Sequence, residues 1–282
     1  LSKYFYLHKT AKNLINTNKY EKCFSHMSPI SLFVLTSQLK RKNIETTLWF
    51  THPGPGFGIK KLILYITTKM TKNVITASST SFPFMSEKVS IIGHAIDLSS
   101  FKNQKNNHQF KNFLILSRIS RSKNLEVSID AFLSSDFKSE NLDIIGGPLN
   151  QKDVQYQNYL KEKYKIYNNV KFIGKVPYEK LPSFMKNYDV NFNSAGTGFF
   201  DKSVLETLSA GLINFYHNQD FDSLYLDHSK KYYFKGKEDL TEKINNLKFL
   251  NDNDLKDLFI ILNTNLEQHS LETLGDRLSK FI

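Results

Sequence analysis

Residues 189–216 read Asp189-Val-Asn-Phe-Asn-Ser-Ala-Gly-Thr-Gly198-Phe-Phe-Asp201-Lys-Ser-Val-Leu-Glu206-Thr-Leu-Ser-Ala-Gly211-Leu-Ile-Asn-Phe-Tyr216. The pattern predicts a strand at 190–193, a glycine-bearing loop at 194–200, a helix from 201 to 211 and a second strand at 212–216. Asp201 suits the N-cap, Val204, Leu205 and Leu208 give the helix one apolar face, and Gly211 suits a left-handed end. In such a unit free backbone amides and the positive helix end point into the loop, so an anion, most simply a phosphate, is the expected guest. Glu206 sits a turn and a half into the helix. A lone carboxylate there suits a sugar hydroxyl better than a metal, which would want several oxygen ligands.

Around this unit strand and helix alternate. Strands are expected at 113–117, 142–145 and 170–173, helices at 122–133, 152–165 and 178–187, and three helices in the tail at 237–250, 252–266 and 269–282. Asp220, Asp222 and Asp227 read as solvated surface. Upstream, helices are expected at 4–16, 31–39 and 59–71, and strands at 23–27, 46–51, 73–77 and 88–92. Short connections in such an alternation indicate parallel sheets covered on both faces, an α/β class. Gly54-Pro-Gly-Phe-Gly58 has the wrong spacing for a dinucleotide fingerprint and reads as a turn or lid. The polar, aperiodic stretch 98–109 is the expected boundary between two Rossmann-like lobes, residues 1–108 and 109–266, with a closing helix at 267–282 that returns to the first lobe.

The 282 residues contain one cysteine, Cys23, so no internal disulfide forms and a cytosolic chain is expected. No run of about 18 apolar residues exists to span a membrane. The chain starts at Leu without a signal-peptide pattern, and is expected to begin partway through a longer reading frame with an incomplete first lobe. Charge is divided unevenly: residues 1–108 hold 15 Lys and Arg against 4 Asp and Glu, and residues 109–282 hold 23 against 23. A basic first half could face nucleic acid, anionic lipid or an acidic substrate, or be a plain lysine-rich solvated surface. Its lysines are scattered and no recognition-helix or zinc pattern accompanies them, which argues against nucleic acid.

Arg118 and Lys123 follow the strand 113–117. Parallel strands all end on one edge of the sheet, so these two cations converge with the loop at 194–200. Each alone also fits a surface ion pair. Together with a helix N-terminus and a glycine-bearing loop they suit a diphosphate. His52 stands where the strand 46–51 runs out, on the ligand edge of its sheet, a position that also fits a histidine merely capping a strand.

Four blocks carry a resemblance: Phe113-Leu-Ile-Leu-Ser-Arg118-Ile-Ser-Arg-Ser-Lys123-Asn-Leu, Ile145-Gly-Gly147-Pro, Val170-Lys-Phe-Ile-Gly-Lys175-Val176, and Gly198-Phe199-Phe200-Asp201-Lys-Ser-Val-Leu-Glu206-Thr-Leu-Ser-Ala-Gly. In this order and spacing they resemble the C-terminal half of a retaining, family 4 glycosyltransferase of the GT-B fold. The first part resembles the N-terminal domain more loosely, through Phe50-Thr-His52 and Val89-Ser-Ile-Ile-Gly-His-Ala-Ile-Asp97. The resemblance implies that Arg118 and Lys123 hold the donor diphosphate and that Glu206 binds the ribose. Lys175 and Val176 would edge the base, Gly147 would line the donor site, the amides of Gly198, Phe199, Phe200 and Asp201 would close on phosphate or sugar, and His52 would contact the transferred sugar. One departure stands out, Gly198 where the family usually has a glutamate that helps hold the donor hexose.

The implied reaction moves a sugar from a nucleotide diphosphate sugar to a hydroxyl of a glycan or lipid-linked saccharide, with retention and with no metal or other cofactor. A cytoplasmic location is expected, and the basic first lobe admits peripheral contact with the inner face of a membrane; no nucleic acid partner is expected. The alternatives are a non-catalytic sugar-nucleotide-binding protein, a GT-B-fold epimerase or phosphorylase, and a basic RNA-binding protein.

Overall fold

Runs rich in β-branched and aromatic residues become the strands, and every strand pairing among the described residues is parallel. The computed structural model describes residues 2–102 and 109–282, with side chains from Phe5 onward. The chain divides into two units, one of Leu1–His94, Gly198–Phe200 and Glu272–Ile282, the other of Ala95–Thr197 and Asp201–Leu271.

The first unit has strands β1 (Lys22–His26), β2 (Glu45–Trp49), β3 (Asn73–Thr76) and β4 (Val89–Ile91) in spatial order β1-β2-β3-β4. Its helices are α1 (Ser2–Thr17), α2 (Pro29–Arg41) and α3 (Ile59–Met70). Leu32, Leu39, Leu48, Leu64 and Val74 form its core, drawn from both helices and strands.

In the second unit β5 (Asn112–Leu116), β6 (Asn141–Ile145), β7 (Val170–Gly174), β8 (Val190–Asn193) and β9 (Ile213–Tyr216) run in the order β7-β6-β5-β8-β9. Its helices are α4 (Leu98–Phe101), α5 (Leu125–Ser134), α6 (Gln151–Tyr164), α7 (Leu181–Met185), α8 (Lys202–Ser209), α9 (Asp222–Tyr225), α10 (Ser229–Tyr232), α11 (Lys237–Asn245) and α12 (Asp252–Leu266). The central strand β5 is apolar throughout its buried part, as a strand covered on both faces must be. Strand order reverses between β5 and β8, and there the ladder is short, pairing only Phe113 with Val190 and Leu114 with Asn191. Beyond it the Leu116 amide donates to the Asn191 side chain at 3.1 Å, so the two strands part at their carboxyl ends without orphaning a buried N–H. A crevice at such a reversal is the usual ligand position in a parallel sheet.

The chain closes with α13 (Leu274–Ser279), which is counted with the first unit. The Arg277 guanidinium donates to the carbonyls of Ile92 and His94, and the Thr47 hydroxyl donates to the Phe281 carbonyl at 2.8 Å.

Several local expectations differ from the structure. The division falls at His94/Ala95, earlier than residue 108, and the tail separates at 271/272 in place of 266/267. Residues 103–108 of the expected boundary lie outside the described residues. The earlier break has a packing cause: Asp97 caps α4, and Phe101 is buried against Leu114, Leu116 and Leu212 of the second unit. The helix expected at 122–133 is split into a tight turn at Arg121–Lys123 and α5, because Asn124 adopts φ +48°, a left-handed conformation that asparagine tolerates. The stretch holding Asp220, Asp222 and Asp227 is helical and partly interior. Asp220 is buried and Asp222 accepts from the Tyr216 hydroxyl at 2.9 Å, while Asp227 is exposed.

Candidate functional site

At the carboxyl edge of the second sheet the chain ends of β5, β6 and β7 are laced together by backbone bonds. Ser117 N–H donates to Ile145, Ile119 to Gly147 and Gly146 to Gly174, at 3.0, 3.1 and 2.8 Å. Gly146 has φ +137°, and a Cβ on it would lie 1.8 Å from the Ser117 carbonyl oxygen, so this crossing admits only glycine. Gly147 is covered by the Lys175 stem, whose Cγ and Cε would be 2.8 Å from an added Cβ. These turns make one wall of a cavity of about 460 Å³, and the start of α8 makes the other.

Of the residues expected from sequence, Arg118, Lys123, Gly147, Lys175, Val176, Asp201 and Glu206 all line this cavity. Leu116, Ile145, Leu149 and Leu181 supply an apolar part. Arg118, Lys123, Lys175 and Lys202 face Asp201 and Glu206, which leaves an excess of positive charge suited to an anionic guest.

The two phosphate-side cations are not equivalent. Arg118 is exposed and has no ion-pair partner among the described residues. Lys123 is only 4% exposed and is paired with Asp201 Oδ1. The other carboxylate oxygen accepts from the Asn193 side chain at 3.0 Å. Asp201 stands at the N-cap of α8, yet its side chain makes no cap bond, which corrects the simple capping role read from sequence. The buried ammonium outcompetes the helix amides for it. The Asp201 carboxylate therefore covers none of the first α8 amides, and the start of the helix, Asp201 to Ser203, lines the cavity. Gly211, with φ +80°, ends the helix as expected.

Glu206 is 6% exposed and lines the cavity from the second turn of α8. Burial pushes its carboxyl above the usual range, while a hydrogen bond from Tyr178 and the Lys202 charge oppose the shift. The Tyr178 hydroxyl is pushed up to about 12 by burial and by the Glu206 charge, so it stays protonated and donates. Tyr178, Ser203, Ser117 and Gly146 were not singled out from sequence. Ser203 lies in the strand-loop-helix unit 189–216, and Ser117 and Gly146 stand at the ends of two predicted strands, but nothing local marks Tyr178.

His52, Gly198, Phe199 and Phe200 belong to the first unit and are not among the residues lining this cavity. There Gly54 N–H donates to His52 Nδ1 at 3.0 Å, which leaves the proton on Nε2, and the His52 ring meets Phe199 edge-on with centroids 5.4 Å apart. His94 Nε2 lies 2.8 Å from the Phe200 carbonyl oxygen. Gly198 has φ +89°, and a Cβ there would be 2.7 Å from Pro53 Cβ, so the glutamate usual at this position in the resembled family would require the backbone to move. Among the described residues no group of three His, Cys, Asp or Glu side chains is placed to hold a metal ion, and no helix is long and apolar enough to cross a membrane.

Comparison with known proteins follows the same lines. The Anabaena protein Alr3699/HepE, crystallised with UDP, superposes with a TM-score of 0.78 at 14% identity over 98% of this chain and 80% of that one. Sucrose-phosphate synthase (tll1590) from Thermosynechococcus elongatus gives 0.78 at 13% identity, over 97% and 75%. The pneumococcal O-GlcNAc transferase GtfA, crystallised with UDP and GlcNAc, gives 0.72 at 11% identity, over 96% and 58%. No curated protein matches the sequence. The fold is thus of the GT-B type, α/β with parallel sheets. Residues 97–260, more than half of the chain and including every residue of the cavity described above, match the family Glycosyl transferases group 1, and the chain belongs to that family.

Proposed function

We propose that the protein transfers a glycosyl unit from a nucleotide diphosphate sugar to an acceptor hydroxyl with retention of configuration, and that its donor nucleotide is UDP, as in the structural neighbours crystallised with UDP. The observation that carries this reading is the convergence of Arg118, Lys123 and the start of α8 on one cavity that also contains Glu206. When the bond from the sugar to phosphate breaks, negative charge grows on the departing diphosphate. Arg118, the Lys123 ammonium and the positive end of α8 stabilise that charge without reorganising, and no metal is needed. Glu206 accepts from the ribose hydroxyls, the Lys175 stem and Val176 flank the base, and Gly147 keeps that wall thin. His52 and the loop at Gly198, Phe199 and Phe200 are assigned to the sugar and acceptor side. The acceptor is a glycan or a lipid-linked saccharide.

Calorimetric titration with UDP-glucose, UDP and uridine tests the reading. Arg118→Ala is expected to weaken UDP and UDP-glucose by about 1.5–3 kcal/mol and uridine hardly at all, because only the former lose a charge-assisted contact to phosphate. Equal losses for all three ligands would overturn the assignment. Acceptor-dependent release of UDP, with the anomeric configuration of the product read by NMR, tests transfer and retention. Tight UDP-glucose binding without transfer to any saccharide acceptor would instead favour a non-catalytic sugar-nucleotide-binding protein, a reading to which Gly198 lends support.

A further inference from the structure

Helix α3 carries large apolar side chains on its outer side as well as its buried one. Its buried side carries Leu64, Thr67 and Thr68, and the threonine hydroxyls are satisfied by carbonyls one turn back, Thr67 on Ile63 at 2.7 Å and Thr68 on Leu64 at 2.8 Å. The opposite side presents Ile59, 73% exposed, Leu62, 56% exposed, and Tyr65. The apolar surface continues off the helix: Phe57 is 94% exposed, Met85 is fully exposed, and Phe84 touches Tyr65 edge-on at 5.4 Å. Lysines are interleaved with it, Lys61 over the Phe57 ring at 5.3 Å and Lys69 over the Tyr65 ring at 5.6 Å, with Lys60 beside them. Residues 46–86 contain four lysines and no Asp or Glu.

A contiguous exposed apolar patch marks an interaction site. Two properties choose the partner. Side chains as exposed as Phe57 and Ile59 need an apolar phase, which a polyphosphate does not offer. A surrounding field of predominantly positive sign, four lysines between the flanking Glu45 and Glu87, favours a negatively charged surface. An anionic bilayer supplies both: acyl boundary for the apolar face and headgroups for lysines that lie along it. We infer that the α3 face, with Phe57 and Met85, is a docking surface for anionic lipid membranes. It lies wholly in the first unit and does not depend on the donor reading.

The test is co-sedimentation of the full chain with phosphatidylcholine vesicles and with phosphatidylcholine–phosphatidylglycerol vesicles. Binding is expected to the mixed vesicles, weaker in high salt, and little or none to phosphatidylcholine alone. Lys60→Glu/Lys61→Glu should weaken it by about fivefold or more for each charge lost. Ile59→Ser/Leu62→Ser should abolish pelleting while UDP binding and melting temperature stay unchanged. Phe57→Ser, in an exposed loop, should reduce pelleting in the same way if the helix variant proves unstable. Pelleting that survives both apolar variants, or none with any vesicle, would overturn the inference. Concentration-dependent self-association that Ile59→Ser/Leu62→Ser removes, without vesicle binding, would assign the face to a second copy of the chain and equally overturn it.

Discussion

Glu206 carries a cost that a purely structural side chain would not. Its folded-state pKa is raised by burial, and Tyr178 and Lys202 oppose that shift only in part. For an acid raised on folding, the unfolded state binds fewer protons between its own value and the raised folded one, so above that window the charged form destabilises the native state. That penalty fades as pH falls through the raised value and is gone below the unfolded value of about 4.3. Glu206→Gln is therefore expected to melt at the same temperature or higher at pH ~7.5, with the difference from wild type shrinking towards pH ~4.5. Its affinity for UDP-glucose should nonetheless fall by roughly 1–2 kcal/mol, since an amide is a poorer acceptor for hydroxyls than a carboxylate. Melting curves across pH, with calorimetry on the same preparation, decide this. A lower melting temperature at neutral pH with unchanged affinity would make Glu206 structural.

At the scale of elements, the site depends on where strands stop. The β5 and β6 turns touch at Gly146 and Ser117 with no room for a methyl group, and this contact holds Arg118 at the sheet edge. Gly146→Ala combines a left-handed φ with a backbone clash, and is expected to cost about 3 kcal/mol or more in urea unfolding and to weaken UDP binding of the folded fraction. Gly196→Ala is the control, with open space around its Cβ position and an expected change within about 0.5 kcal/mol. Similar losses at both glycines would show that the crossing is not the constraint. The break of the 122–133 segment at Asn124 matters in the same way, because it lets Lys123 leave the helix surface and turn inward to Asp201.

For the whole molecule, the first unit is assembled from distant parts of the chain, and its final piece is the last eleven residues, Glu272–Ile282. Arg277 and Phe281 bond directly to backbone and side-chain groups of Ile92, His94 and Thr47. The single tryptophan, Trp49, lies in β2 of this unit and reports on it alone. Removal of residues 272–282 is expected to lower the transition seen by Trp49 fluorescence by several degrees or more, about what 1–2 kcal/mol produces in a unit of this size. UDP affinity should be retained, because the cavity lies entirely in the second unit. An unchanged Trp49 transition would show that the closing segment contributes nothing to the first unit.

Local chemistry made much of this legible in advance. Alternating apolar runs and helix-period stretches in residues 110–216 imply a parallel sheet, and parallel strands must present their ends on one edge, so Arg118 and Lys123 were bound to meet the loop before α8 there, while Lys175 was placed only by the family resemblance. Periodicity says which face of an element is buried, not which distant side chain it meets. That Lys123 is committed to Asp201, 78 residues away, while Arg118 stands open, that Tyr178 serves Glu206, and that Phe101 draws the division of the chain back to His94 are all settled by packing between elements far apart in sequence. Burial and charge pairing are properties of that packing, so only the tertiary structure decided them.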